Sequence, residues 1–317
     1  MSFDFDAAVQ APFRMQPGLR RLAPGALQLT PLAPGSRHQR EKMAVLSAFP
    51  RLALAAEPGF DAWPALRALA EHAAREHPGR FVWADGRAEA RWLGVAVVDG
   101  EVEQLASGVF GLGDELARCL RGLTAEWRLP GLLGLAFAED LAIVDGARAT
   151  IPWIAACLPS HWDPAAKVGH HFAEVHAPVA DNALLMRAAE HLMRMVCGPD
   201  AWERFVWNVT RHPRLHAHPV HADPAPWPAD AFDDPDPRAW FRSERQTFLP
   251  LPSLRQAVFT IGVDCRPLAQ AIDSAARARR LHDSIASMSA DVLAYRSLAP
   301  ARDALLGWLE RRAAVPA

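Results

Sequence analysis

The segment "GLLGLAFAEDLAIVDGARATIPWIAACLP" (residues 131–159) decides the fold class of this chain. Its apolar runs are separated by Asp145-Gly146, a dipeptide that favours a tight turn between antiparallel strands. The segment is therefore predicted to form a strand meander. The same pattern surrounds Asp99-Gly100 in "WLGVAVVDGEVEQL" (residues 92–105), and "QAVFTIGVDCRPL" (residues 256–268) again has strand composition.

Helical patterns flank these strands. Residues 62–77 and 182–196 show apolar positions at helical spacing. This arrangement predicts an α+β fold with a mostly antiparallel sheet rather than a doubly wound parallel sheet. We expect one structural unit with three parts: an extended N-terminal arm that packs on the domain (1–50), a central α/β domain (51–267) and a C-terminal helical extension (268–317).

Composition excludes several classes of protein. The chain has 317 residues and a net charge of -2, so it presents no broad basic field for nucleic acid. Its 4 cysteines are widely spaced without a CxxC motif, which argues against an iron–sulfur cluster and suggests a reducing compartment. No secretory signal or membrane-length apolar run is visible. We expect a cytoplasmic protein without nucleic-acid or membrane partners, and abundant Ala and Arg with little Lys suggest a bacterial source.

The common catalytic motifs are missing. The chain contains no GxxxxGK[ST], HExxH or GxSxG motif, and the glycines of "GVFGLG" (residues 108–113) are in the wrong order for a dinucleotide-binding loop. Phosphate-loop, zincin and α/β-hydrolase functions therefore have no support in the sequence.

Histidines are concentrated in one part of the chain. Of 13 histidines, most lie between His161 and His221. The group "HAHPVH", with His216, His218 and His221, has the residue type that binds zinc. The alternative, which we favour, is a solvated loop broken by proline, because no acidic or thiol ligand is fixed nearby in sequence.

His176 has a different setting, since "EVHAPV" (residues 174–179) is apolar on both sides of it. A single histidine in such surroundings is commonly a hydrogen-bonded core residue. Haem iron, however, also takes one histidine from an apolar wall, because the macrocycle supplies four further nitrogens. A one-histidine site leaves no spacing pattern, so both interpretations stay open at this point.

Several segments, taken together, resemble the haem-dependent oxidative N-demethylase family, α-subunit type, from about residue 12 to about residue 268. They are "EDLAIV" (139–144), "CLPSHWDPAAKVG" (157–169), "EVHAPV" (174–179), "RFVWNV" (204–209), "FRSERQTFLPLP" (241–252) and "AVFTI" (257–261). The sequence departs from the family at Ala180, where the family has a further proline, and at Trp207, which precedes Asn208 instead of following an asparagine.

This resemblance implies a PAS-type fold in which an antiparallel sheet and flanking helices enclose a b-type haem with its iron. It implies a mono-oxygenase that uses dioxygen to demethylate a small secondary amine such as dimethylamine. Electrons would come from NADPH through a separate reductase that carries flavin and an iron–sulfur cluster. Two alternatives are a haem-PAS gas or ligand sensor without turnover and the zinc protein based on His216, His218 and His221.

The resemblance also implies an iron ligand. His176 is the predicted proximal ligand, and His170 and His171 are the fallbacks. His161 is expected to lie outside the chemistry. The single tyrosine, Tyr295, belongs to the C-terminal helical part, so a site that needs a tyrosine from the middle of the chain is not expected here.

Further residues receive roles from the chemistry of such a site. A carboxylate suits a cationic amine and an arginine suits a propionate or a reduced dioxygen species, so Glu244 and Arg242 are the predicted catalytic residues. Lys167, Arg245 and Trp162 are the predicted cofactor-binding residues. If "RSERQ" is a strand, Arg242 and Glu244 share one face and Arg245 lies on the other. The alternative for Arg242, Glu244 and Arg245 is a ladder of ion pairs on the protein surface. The alternative for Lys167 is a solvated position on a helix.

Overall fold

The computed structural model describes residues 3–222 and 225–314. Each of the three predicted parts of the chain includes residues outside these ranges. Residues 1–2, 223–224 and 315–317 lie outside the described residues.

Two antiparallel sheets organise the described residues. The larger sheet has the strand order β1-β9-β10-β11-β7-β8-β2, and the smaller has the order β3-β4-β5-β6. Their strands are β1 (Arg20–Arg21), β2 (Leu54–Ala56), β3 (Phe81–Ala84), β4 (Arg87–Ala90), β5 (Val95–Val98), β6 (Glu101–Gln104), β7 (Glu139–Asp145), β8 (Thr150–Ala155), β9 (Trp202–Thr210), β10 (Trp240–Leu251) and β11 (Gln256–Pro267).

Helices surround both sheets. They are α1 (Phe5–Ala8), α2 (Arg37–Ala48), α3 (Pro50–Ala53), α4 (Trp63–Glu76), α5 (Glu115–Arg121), α6 (Ala125–Ala136), α7 (Phe172–His176), α8 (Ala183–Val196), α9 (Leu268–Ala271), α10 (Ala275–Ala286), α11 (Ala290–Tyr295) and α12 (Arg302–Ala314), with short 3₁₀ turns at Ala165–Lys167, Pro252–Leu254 and Ala299–Ala301. The predicted α+β class with antiparallel sheets is therefore confirmed. Among the described helices, none combines the length and apolar character needed to cross a membrane.

The two faces of the larger sheet have different partners, because successive side chains on a strand point in opposite directions. On one face, Leu141, Ile143 and Val258 belong to the main apolar core, which includes residues from α4 and α6. The other face carries Ala142 and Phe259 and borders a cavity. The sheet thus separates the main core from the candidate site.

The two ends of the chain share a second core. Phe5 of α1 packs against Phe241 of β10, with ring centroids 5.6 Å apart, and both belong to a cluster with Leu281 and Trp308 from the C-terminal helices. This cluster brings the C-terminal helices to the edge of the larger sheet that carries β9.

The structure differs from two expectations. Residues 37–48, which we predicted to be part of an extended arm, form the helix α2. The buried face of α2 includes the polar residues Gln39 and Lys42. The sequence therefore lacks the regular spacing of apolar residues from which a helix is predicted. The meander predicted from residue 131 begins only at Glu139, because residues up to Ala136 complete α6.

Candidate functional site

A cavity of about 990 Å³ lies on the second face of the larger sheet. This volume is at the upper end of the range of about 300–1,000 Å³ typical of ligand and cofactor sites. Its walls come from strands β7 to β11, helices α7 and α8, the loops near residues 160 and 212, and the C-terminal segment 294–300. Distant parts of the chain therefore meet at one concave site.

One wall of the cavity is apolar. Strand register aligns Phe248, Phe259, Ala142 and Ile154 in a row across β10, β11, β7 and β8. The rings of Phe248 and Phe259 are stacked at 4.7 Å between centroids. Helix α8 closes this side with further apolar residues. A flat row of this kind suits a broad apolar ligand.

His176 ends α7 and lies in the cavity wall. Burial lowers its pKa to about 4, assisted by the positive charges of Arg204 and Lys167. The ring is therefore neutral at pH 7. Its Nδ1–H donates to the carbonyl oxygen of Phe172 at 2.8 Å, and Nε2 has no hydrogen-bond partner among the described residues. A neutral imidazole oriented by a carbonyl at one nitrogen, with the other free, is the usual form of a metal-bound histidine.

The two fallback histidines lie elsewhere. His170 is on the surface and contacts the carboxylate of Glu174 at 3.3 Å. His171 caps α7, because its Nδ1 accepts a hydrogen bond from the backbone N–H of Ala173 at 3.2 Å. Neither lines the cavity. Of the three histidines considered, only His176 faces the site.

The polar wall is rich in cations. The lining includes Lys167, Arg204, Arg211, Arg242 and Arg296. Within the described ranges, the side chains of Lys167 and Arg204 form no hydrogen bond or ion pair, and the Nε of Arg204 is buried. Arg296 donates to the carbonyl of Trp207 at 2.6 Å, and burial lowers its pKa to about 10. The wall is therefore suited to anionic groups.

Arg242, a predicted catalytic residue, is 2 % exposed and held by many acceptors. Its Nε donates to Ser160 Oγ at 2.6 Å, and its Nη atoms donate to backbone carbonyls of residues 158–159 and 214–215 at 2.7 to 3.2 Å. These bonds fasten two loops of the cavity to β10. The guanidinium therefore has little donor capacity left for a ligand.

Glu244 supplies the only carboxylate among the described residues that line the cavity. It is 7 % exposed and accepts hydrogen bonds from Ser160 Oγ and from Gln246 Nε2. No described cation lies within ion-pair distance of it. A buried carboxylate without a direct ion-pair partner is unfavourable, so this position favours a cationic ligand.

The predicted alternation on β10 is confirmed. Arg242 and Glu244 line the cavity, whereas Arg245 points to the other face, where it pairs with Glu203 at 3.0 Å and donates to the carbonyl of Leu27 at 2.7 Å. Arg245 therefore fastens the N-terminal segment to the sheet. Trp162 and Lys167 both line the cavity, as a cofactor-binding role requires.

Several residues of the lining could not be predicted from the sequence, among them Arg204, His161, His212 and Tyr295. His161, expected outside the chemistry, lies in the wall with a backbone φ of +64°, and burial lowers its pKa to about 4. Its ring centroid is 5.3 Å from that of His212, whose two ring nitrogens are buried without partners among the described residues. Tyr295 reaches the cavity from α11. Because these residues come from separate segments, no local pattern could group them.

The histidines proposed for zinc are close together but bonded to other groups. His216 Nε2 and His221 Nδ1 are 3.0 Å apart, while His216 Nδ1 donates to the Cys157 carbonyl at 2.6 Å. His218 Nε2 lies 3.3 Å from Asp163 Oδ1. Throughout residues 3–222 and 225–314, no group of three or more His, Cys, Asp or Glu side chains is arranged to hold a metal ion.

Comparison with known proteins places the chain in a family. Residues 119–306, more than half of the chain, match the family described as haem-dependent oxidative N-demethylase, alpha subunit-like. The match starts later than the expected residue 12, and it continues past residue 268 to include Tyr295. A search of curated proteins found no match. The chain therefore belongs to the haem-dependent oxidative N-demethylase, alpha subunit-like family.

Proposed function

We propose that this protein is the haem-binding subunit of a mono-oxygenase that removes a methyl group from a small secondary amine. The observation that carries the proposal is His176, a neutral imidazole with a free Nε2 in the wall of a large cavity. Membership in the N-demethylase family supports the same activity. A PAS-type description of the sheet and a cytoplasmic location are parts of this proposal.

The residues of the cavity fit a b-type haem. The apolar row on β7, β8, β10 and β11 suits the face of the macrocycle, and His176 suits the iron. Lys167 suits a propionate and Trp162 suits an edge of the macrocycle. When bound, haem supplies the iron at which dioxygen is activated.

The chain itself binds and orients the substrate. Glu244 holds the ammonium group, since its carboxylate is buried, fixed by Ser160 and Gln246, and not in a direct ion pair with any described residue. Arg242 acts as a positioning residue, because it ties the loop containing Ser160 to β10. These contacts hold the N-methyl group in a fixed orientation within the cavity.

The reaction needs an external source of electrons. Each turnover converts the N-methyl amine, dioxygen, two electrons and two protons into the demethylated amine, formaldehyde and water. The sequence has no dinucleotide-binding loop and no cysteine pattern for an iron–sulfur cluster. We therefore assign NADPH, flavin and the cluster to a separate reductase subunit, which is the partner that the proposal requires.

Haem binding is tested by the visible spectrum of the purified protein. We expect a Soret band that His176→Ala abolishes, whereas the surface variant His170→Ala retains it. A colourless protein with stoichiometric zinc would overturn the proposal and favour the zinc alternative.

Catalysis is tested separately by measuring formaldehyde released from dimethylamine in the presence of NADPH and a flavin- and iron–sulfur-containing reductase. Glu244→Gln is expected to lower this activity while the Soret band is retained. A haem-loaded protein that releases no formaldehyde from any N-methyl amine would instead act as a ligand sensor.

A further inference from the structure

Among the residues that the structure describes, the charges that face the cavity do not balance. The side chains of Lys167, Arg204, Arg242 and Arg296 line it, and none forms an ion pair with a described residue. Against them stands Glu244 as the single carboxylate of the described lining. Two haem propionates would neutralise two cations. A purely cationic amine would add positive charge to a wall that is already positive, whereas a ligand with an anionic group would not.

Arg204 and Glu244 identify where such a ligand would bind. They lie on neighbouring strands, β9 and β10, and on the same face of the sheet. Register places Arg204 opposite Gln246 and Glu244 opposite Val206, so Arg204 and Glu244 are diagonal neighbours. Diagonal positions are about 7–8 Å apart. No ion pair joins the two side chains, so two opposite charges face one cavity with space between them.

Neither charge forms a direct ion pair within the described part of the protein, although Arg204 and Glu244 interact across the space between them. Arg204 makes no side-chain hydrogen bond there, and its Nε is buried. Glu244 accepts only from a hydroxyl and an amide, which orient the carboxylate without neutralising it. Buried charges of this kind are unfavourable unless a ligand with an opposite charge binds beside them. An ammonium beside Glu244 and a carboxylate beside Arg204 would satisfy both.

We infer that the substrate is an N-methyl amino acid, whose ammonium is bound by Glu244 and whose carboxylate is bound by Arg204. The inference rests on the proposed function and specifies its substrate class. Arginine suits the second role, because its planar guanidinium can donate two parallel hydrogen bonds to a carboxylate. Tyr295, which faces the same cavity from α11, is placed to donate a further hydrogen bond.

The first experiment needs no variant. The affinities of the haem-loaded protein for N-methylglycine, N-methylglycinamide and dimethylamine are measured by calorimetry at low salt. N-methylglycine and its amide have nearly the same size, but only the acid carries a carboxylate. We expect the acid to bind at least about tenfold more tightly than the amide and dimethylamine. Equal or weaker binding of the acid overturns the inference.

The second experiment assigns the carboxylate to Arg204. Arg204→Gln is expected to weaken N-methylglycine binding at least about tenfold and to change binding of the amide less than about twofold. Arg194→Gln, on the exposed side of α8, is the matched control and should change neither. Haem content is measured for each variant. If Arg204→Gln loses haem and leaves ligand selectivity unchanged, Arg204 binds a propionate and the inference is wrong.

A variant that does not fold leaves the test intact, because the comparison of the three ligands on the unaltered protein decides the substrate class. Arg204→Lys then examines the same position with the charge retained, and weaker binding of the acid is expected because the paired hydrogen bonds are lost. A different result would contradict the proposed function itself: the protein binds no haem, or it releases formaldehyde from no N-methyl compound. Turnover of dimethylamine without preference for the acid overturns the inference alone.

Discussion

Two regions of this protein that contain buried charge differ in how that charge is satisfied. Beneath α2, the ammonium of Lys42 lies 3.1 Å from Asp140 and donates to the carbonyls of Phe137 and Glu139, with Lys42 0 % and Asp140 2 % exposed. In the cavity, Arg204 and Glu244 have no such partners among the described residues. Charges that the chain pairs internally hold the fold together, and charges that it leaves unpaired beside a cavity indicate a ligand.

The largest expected effect comes from breaking the internal pair. Lys42→Met leaves the carboxylate of Asp140 buried without its cation, and we expect the free energy of unfolding to fall by about 3–5 kcal/mol. Denaturant unfolding of the protein measures this. Arg40→Met, at an exposed position of the same helix, should change stability by less than about 0.5 kcal/mol. Equal effects of the two variants would contradict a special role for the pair.

A somewhat smaller loss is expected for Arg242→Met. This change removes one buried donor group from carbonyls of residues 158–159 and 214–215, and several of these acceptors become unsatisfied. We expect the free energy of unfolding to fall by about 1–3 kcal/mol, with faster hydrogen exchange in both loops. Exchange that rises in only one loop would show that Arg242 does not join them.

The third effect is a pH dependence of stability. Folding lowers the pKa of His176 from 6.5 to about 4, so between these values the unfolded chain binds more protons than the native protein. Stability is therefore expected to fall as pH decreases from about 6.5 towards 4. His176→Gln should reduce this dependence in the apoprotein, measured as the denaturation midpoint at pH 7 and pH 5.

His170→Gln is the control for this measurement, because His170 is on the surface beside Glu174. The control should retain the pH dependence of the unaltered protein. A His176→Gln variant that retains it as well would show that other histidines with a lowered pKa, such as His161, account for the effect.

The smallest effect on stability is expected at the cavity. Arg204→Met removes a charge that has no ion-pair partner among the described residues. The free energy of unfolding of the apoprotein should therefore fall by less than about 1 kcal/mol, and it rises if the cost of desolvating the guanidinium outweighs its other contacts. Thermal unfolding measures this. If Arg204→Met lowers the free energy of unfolding as much as Lys42→Met, Arg204 stabilises the fold, and the two regions do not differ in the way described.

Local patterns in the sequence predicted much of the fold. The turns at Asp99-Gly100 and Asp145-Gly146 lie where expected, between β5 and β6 and between β7 and β8. The helices predicted at 62–77 and 182–196 occur at Trp63–Glu76 and Ala183–Val196. These features depend on residues close together in the chain. Helix α2 was missed because its buried face contains Lys42, whose partner Asp140 is almost 100 residues away in sequence.

The candidate site shows the same division. The sequence by itself determined the α+β class, the family resemblance and the alternation that sends Arg242 and Glu244 to one face of β10. Only the tertiary structure decided that His176, rather than His170 or His171, faces the cavity, and that His161, Arg204 and Tyr295 join it. The physical reason is that strand and turn preferences are local, whereas burial and unpaired charge depend on which distant segments pack around a residue.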